Sequence, residues 1–227
     1  MTLPEWVEPV ARYMFTEGLK GTLRIAALSL VGSPVIGIVL GTLLTIRFRP
    51  TRAIIRLYIE VWRGLPILVT IFLIYFALPS VSDQLRFDPF TAASIGLTLW
   101  GSAQIAEATR GAVESMPREQ HEAASALGFG WIGRHVFVIL PQALRRLLPP
   151  VVSLLVNIIQ NTTIAQVIGA AELLETGERS VERLTSPPPI GPGEIHAFEI
   201  YAAVMAVFFL MSFPLTRLAA YLEKRLV

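Results

Sequence analysis

The sequence predicts an all-α integral membrane protein of about five transmembrane helices, with an N-terminal interfacial helix and a short cytoplasmic helix between two spans. Three observations lead there. The 227-residue chain is 53% hydrophobic and only 16% charged, with a mean hydropathy of +0.59, which lies outside the range of soluble globular domains. Its apolar residues fall into several long runs rather than one, unlike a leader on a soluble domain. Between the runs, arginine, proline and glycine gather in short polar stretches. Residues 1–227 therefore read as one membrane domain.

Composition also excludes function classes. With no cysteine, disulfides and thiol catalysis are absent, and the three scattered histidines make no metal site. A net charge of +2 is too small to suggest a nucleic acid as partner. No G-x-x-x-x-G-K-[ST] spacing occurs, so the chain does not bind ATP through a P-loop.

Within residues 1–20, Trp6, Val7, Val10, Tyr13 and Met14 recur at helical spacing among Glu5, Glu8, Arg12 and Glu17. That pattern predicts a short helix lying on the bilayer, without the basic start and small-residue cleavage pattern of a leader. Ile25 to Ile46 carries no charge over about 22 residues, enough to cross a ~30 Å hydrocarbon layer. Gly37 and Gly41 either form a G-x-x-x-G face for close helix approach or are simply scattered in an apolar helix. Arg47, Arg49, Arg52 and Arg56 then cluster around Pro50 and mark a cytoplasmic turn.

The second span is expected from about Ile54 to Leu78. Within it Glu60 and Arg63, three residues apart, share a helix face and can pair. They either face a polar interior or sit at headgroup level as anchors. Pro79 to Pro89, with Asp83 and Asp88, is expected as an outside loop, and Phe90 to Ala106 as the third span. Glu107, Arg110 and Glu114 extend that span, repeating the acid–base spacing.

Pro117 should break this helix. In the following loop, 117–134, Glu122, Ala123 and Ala124 are expected to open a helix, where the macrodipole favours Glu122. Leu127 and Gly128 follow; Gly128 can end the helix, and Pro141 starts the next element. Beyond Arg145 and Arg146, Leu147 to Ile159 enters the bilayer but is too short to cross. The apolar run stops at Gln160-Asn161-Thr162-Thr163 and resumes from Ile164 to Ala171. A span broken by hydrogen-bonding side chains points to a pathway near mid-membrane, the bland alternative being a polar cap where the span exits.

Residues 172–199 are polar, acidic and rich in proline and glycine (Pro187, Pro188, Pro189, Gly191, Gly193), which predicts an exposed extracytoplasmic loop. Ile200 to Thr216 is the last span, kinked or ended by Pro214, followed by a tail with Arg217, Glu223, Lys224 and Arg225. Five spans place twelve basic residues on one side and six on the other. This bias puts the N-terminus outside and the Glu122 loop and C-terminus in the cytoplasm.

Several of these segments carry a resemblance. Glu122, Ala123, Ala124, Gly128, Leu140 and Pro141 match E-A-A, three residues, G, nine residues, I-x-L-P, with Val138 in place of the isoleucine. Glu60 to Pro66 is similar to E-x-[FW]-R-G-[TL]-P, and Ala106 to Gly111 to A-E-x-x-R-G. Together, from about Gly18 to Leu226, they resemble the permease subunits of polar-amino-acid ABC importers, of the type I importer fold.

The resemblance implies a multi-pass protein of the bacterial inner membrane that is a transport subunit and not an enzyme. Two such permeases, identical or related, would form the pore. A pair of ABC ATPase subunits would grip the cytoplasmic coupling helix through Glu122, Ala123, Ala124, Leu127 and Gly128. An extracytoplasmic binding protein would deliver the amino acid, and ATP would sit on the ATPase, leaving no cofactor on this chain. Glu60, Arg63, Glu107, Asn157, Gln160, Asn161, Thr162 and Thr163 are the expected substrate pathway.

The chain departs from the family pattern in two places. Gln160-Asn161 stands where relatives commonly carry Lys-Asp or Lys-Asn, and Ser153-Leu154 where many carry Asn-Glu. A cationic side chain in a low-dielectric pathway needs a compensating acid, because a buried unpaired charge costs several kcal/mol. The less charged pathway therefore favours a neutral or acidic amino acid, such as glutamine or glutamate, over arginine, lysine or histidine.

Competing classes fare worse. An intramembrane hydrolase would need a nucleophile and base at depth, yet there is no G-x-S-G and His121, His135 and His196 fall in loops or at span edges. A helix-turn-helix over Ala123 to Val136 lacks a basic recognition face. An ion-coupled secondary transporter is the serious alternative; five spans without an internal repeat count against it.

Overall fold

The computed structural model describes residues 4–45, 48–187 and 191–226. Ile46, Arg47, Pro188 and Pro189, which figured in the expected span end, basic cluster and outer loop, lie outside that range. Among the described residues the structure is helical, without strands, in eight longer helices and one short 3-10 turn, Asp83–Leu85: α1 Val7–Leu43, α2 Arg49–Gly64, α3 Ile67–Val81, α4 Pro89–Glu114, α5 Arg118–Ala126, α6 Trp131–Ile168, α7 Leu173–Thr185 and α8 Ala197–Leu226. By length and composition α1, α6 and α8 can each cross a membrane, and α2 with α3 qualify only together. Helix α4, expected as a span, is not apolar enough to count among them. Its Ala92, Ala93, Leu97, Ser102, Ala103, Ile105 and Ala106 are buried against protein, so it needs little lipid-facing apolar surface.

The chain divides into two compact units, Met1–Leu28 with Ile67–Leu97 and Ile158–Phe213, and Ser29–Pro66 with Thr98–Asn157 and Pro214–Val227. In the first unit, the N-terminal segment is not a separate interfacial helix. From Val7 onward it is the beginning of α1, and Trp6, Val10, Met14 and Leu19 pack with Leu173, Leu184, Ile200 and Val204. Burying that stripe against α7 and α8 removes it from water as effectively as a bilayer surface would. The contact is close because Gly18 faces Thr176 and Gly21 faces the carbonyl of Ala171, where any Cβ would collide.

The expected outer loop 172–199 contains a helix, α7, with Leu173, Thr176, Gly177, Ser180 and Leu184 buried. Its cap is Glu172, wholly inaccessible to solvent. Glu172 Oε1 accepts from the Glu175 N–H (2.8 Å) and Oε2 from the Leu174 N–H (3.0 Å). The Thr22 hydroxyl donates to Oε2 (3.5 Å) and accepts from the Leu173 N–H (3.0 Å). Burial pushes the Glu172 carboxyl up to about 7, against the lowering effect of those backbone N–H groups. Polar composition alone hid this helix, since its cap and three of its buried side chains are themselves polar. Elsewhere in the unit, Asp88 caps α4, Oδ1 accepting from the Phe90 and Thr91 N–H groups (3.1 and 3.2 Å).

In the second unit the Gly37–Gly41 face does bring helices together. Gly37 lies against Ile105 and the Ser102 carbonyl of α4, and Gly41 against Thr109 and the Ala106 carbonyl. Ile55 and Ile59 of α2 join Leu44 and Ala106 in one buried cluster, and Tyr58 Oη lies 2.7 Å from Ser102 Oγ. Ile105, Leu147 and Val151 form another, joining α4 to α6.

Three expected breaks are absent. Pro141 does not begin an element; it lies inside α6, directly after a wide π turn at His135–Ile139. A turn of that kind relieves the ring clash and missing N–H of a helical proline. Pro214 does not end α8, which continues to Leu226. The fourth span is not interrupted at Gln160 to Thr163 either, because α6 tightens into a 3-10 helix from Thr162 to Ile168. The hydroxyls of Thr162 and Thr163 donate to the carbonyls of Ile159 and Gln160 (2.8 and 2.9 Å), three residues back, so they accompany the tightening instead of breaking the helix. It ends at Gly169, with φ +76°.

Candidate functional site

The segment between α4 and α6 is short and anchored at both ends. Helix α4 stops at Glu114, and Pro117, with φ −54° and ψ 139°, turns the chain into α5. Glu122, expected to open the helix, does not: α5 starts four residues earlier at Arg118, and Glu119 occupies the favourable N-terminal position. Glu122 instead points to solvent, 70% exposed, with the Arg118 guanidinium 3.5 Å away. Ala124 is buried, whereas Ala123, Ser125, Ala126, Leu127 (77% exposed) and Gly128 present a low surface. Gly128, at φ +83°, ends the helix, with its N–H on the Ser125 carbonyl (3.0 Å) and that of Phe129 on Ala124 (3.1 Å).

A side-chain joint that the sequence did not announce fixes α5 on the protein. Arg134 Nη1 donates to Ser125 Oγ (2.9 Å), and the Gln142 amide donates to Gln120 Oε1 (3.1 Å). His135 is buried: its Nδ1 faces the Trp131 carbonyl (2.8 Å), its Nε2 the Thr45 hydroxyl (3.0 Å), and its ring stacks on Trp131. The His121 ring stands edge-on to His135, 6.2 Å between centroids. Burial, then the Arg134 charge, holds His121 below the usual imidazole range. The signal available in sequence was the pair His121 and His135 flanking the glycine turn, which separation along the chain concealed.

Glu60, Arg63 and Glu107 come together, with Leu44, Arg56 and Ile59, around a cleft of about 70 Å³. The expected Glu60–Arg63 pair does not form. Glu60 lies 3.7 Å from Arg56, one turn earlier on the helix, and Arg63 Nε donates to Gln104 Oε1 (3.2 Å). The Glu107–Arg110 pair does form, bidentate at 3.0 and 2.5 Å, and Arg110 also reaches Glu114. Asn157 belongs to the same unit, whereas Gln160, Asn161, Thr162 and Thr163 belong to the other. Along α6, Ser153, Asn157 and Gln160 are exposed at spacings of four and three. Thr162 is buried and Thr163 partly so.

Residues 34–227 match the sequence family described as the binding-protein-dependent transport system inner membrane component. The chain is 38% identical to the glutamine transport system permease protein GlnP of Escherichia coli K12 over 213 residues, 94% of this chain and 93% of that one. It is 30% identical to the probable glutamine ABC transporter permease protein GlnM of Bacillus subtilis 168, with the same coverage. The fold is similar to that in a crystal structure of an amino acid ABC transporter with histidines: TM-score 0.81, 27% identity, and full coverage of both chains.

Proposed function

The chain belongs to the family of binding-protein-dependent transport system inner membrane components, and from that premise we propose that it is the permease subunit of an ATP-driven importer of a polar amino acid. The observation that carries the reading is α5: a small-residue helix, exposed along Glu122 to Gly128 apart from the buried Ala124, and bonded through Ser125 and Gln120 to α6. A push on such a helix reaches a candidate span directly, with few flexible side chains to absorb it. Its partner is an ATPase subunit in the cytoplasm, since this sequence has no P-loop. The N-terminus then lies outside, where a binding protein hands over the amino acid, and a second permease completes the pore.

The exposed polar row Ser153, Asn157 and Gln160 supports a second permease or a water-filled pathway beside α6, because lipid offers such groups no hydrogen bonds. Glu60, Arg63 and Glu107 line a charged cleft of their own in the second unit, and Thr162, buried with its hydroxyl on the Ile159 carbonyl, shapes the helix and does not line a pathway. ATP binding and hydrolysis shift the inward- and outward-facing populations through their different affinities for the partners. The substrate is a neutral or acidic amino acid, as in the relatives named for glutamine. Arg110 already neutralises Glu107, and the amides and hydroxyls of α6 suit an amino acid without a cationic side chain. Competition on the assembled importer tests this: excess glutamine should suppress uptake more than excess arginine, and the reverse order overturns the substrate assignment.

A further inference from the structure

Helix α2, Arg49–Gly64, is too charged to sit in hydrocarbon, and its side chains sort into three stripes. Ile55 and Ile59 are buried on the protein. Arg49, Arg52, Arg56 and Arg63, spaced by three, four and seven residues, fall within about 60° of one another around the helix axis. Ile54 (71% exposed), Leu57 (63%) and Val61, spaced by three and four, form a separate apolar stripe facing away from the protein. Arg49 and Arg52 make no side-chain bond among the described residues, while Arg56 lies by Glu60 (3.7 Å) and Arg63 by Gln104.

We propose that α2 lies in the surface of the bilayer, with Ile54, Leu57 and Val61 in the acyl boundary and the Arg49–Arg52–Arg56 row on acidic phospholipid headgroups. Three large apolar side chains in open water would be unfavourable; the apolar stripe and the basic row lie on different sides of the helix, roughly 140° apart at about 100° per residue, so the stripe enters the acyl boundary while the long guanidinium side chains reach anionic headgroups. Glu60 offsets one charge and leaves Arg49 and Arg52 free for phosphate. A second copy of this chain could cover the apolar stripe, but that contact would leave the guanidinium row on the other side of the helix unengaged.

The sequence has no cysteine, so a single introduced thiol reports one position. The full chain carrying Leu57→Cys, Val61→Cys or Arg52→Cys, each spin-labelled, is reconstituted in vesicles of phosphatidylglycerol and phosphatidylcholine. Labels at 57 and 61 should respond to oxygen dissolved in the acyl region and resist a water-soluble nickel chelate; the label at 52 should do the opposite. Lipid retained by the purified chain should be enriched in phosphatidylglycerol. The Arg49→Gln, Arg52→Gln, Arg56→Gln variant should lose that enrichment by about fivefold or more. Nickel access at 57 and 61 equal to that at 52 would make the helix a solvated one and overturn the proposal. Close spin coupling between position-57 labels of two chains would assign the stripe to a copy interface. Unchanged phosphatidylglycerol enrichment in the triple variant would overturn the headgroup contact.

Discussion

Gly128 holds φ +83°, and nothing lies within 4 Å of the place a Cβ would occupy. A side chain there meets backbone strain and no steric neighbour, so Gly128→Val isolates conformation: about 1–2 kcal/mol or more for a β-branched residue in the left-handed region. ATP-dependent uptake should fall roughly tenfold at an unchanged level of membrane-inserted protein, while Gly128→Asn, which tolerates that conformation, should retain most of it. Full uptake in the valine variant would remove the end of α5 from the coupling surface. Glu172 gives a second residue-level test. Its folded value of about 7 stands above the ordinary 4.5, so the stability it contributes is complete below about pH 4.5 and is lost as pH rises through about 7. Glu172→Gln should therefore flatten the pH dependence of the unfolding temperature between about pH 5 and 8; an unchanged slope would show that another group sets it.

Among the elements, the contact of α1 with α4 rests on glycines that let one backbone reach another. Gly41→Leu would drive a side chain into the Ala106 carbonyl and Thr109, an overpacking that costs about 1–3 kcal/mol. The variant should unfold at lower temperature in detergent than Gly64→Leu, whose site is open within 4 Å; equal unfolding temperatures would mean that the G-x-x-x-G face is not a tight contact. The sequence offered that face as one of two readings, and the close approach of Gly37 and Gly41 to the carbonyls of Ser102 and Ala106 selects it. The helix of the segment between α4 and α6 was legible in part, because Pro117 and Gly128 act through local backbone preferences, although it starts four residues before Glu122. The missed features depend on partners distant in sequence. Helix α7 needed Thr22 and the α1 stripe to hide its polar cap, α6 stayed unbroken because Thr162 and Thr163 bond locally, and the His121–His135 joint needed the turn of the chain to bring its rings together.

At the scale of the molecule, the chain belongs to a family of transport-system inner membrane components, and among the described residues α1, α6 and α8 are each long and apolar enough to cross a membrane. The proposed roles divide its exposed features: α5 for an ATPase subunit, the polar row of α6 for a second permease or the pathway, and α2 for the bilayer surface. The measurement that tests this most directly is amino-acid uptake in sealed vesicles, with the chain reconstituted alone or with its ATPase subunit, its second permease if distinct, and its binding protein. The account predicts no accumulation by the chain alone under any ion gradient, and concentrative glutamine uptake by the assembly only when ATP is supplied on the ATPase side. Accumulation by the pure chain driven by a proton or sodium gradient would contradict it and identify an ion-coupled carrier.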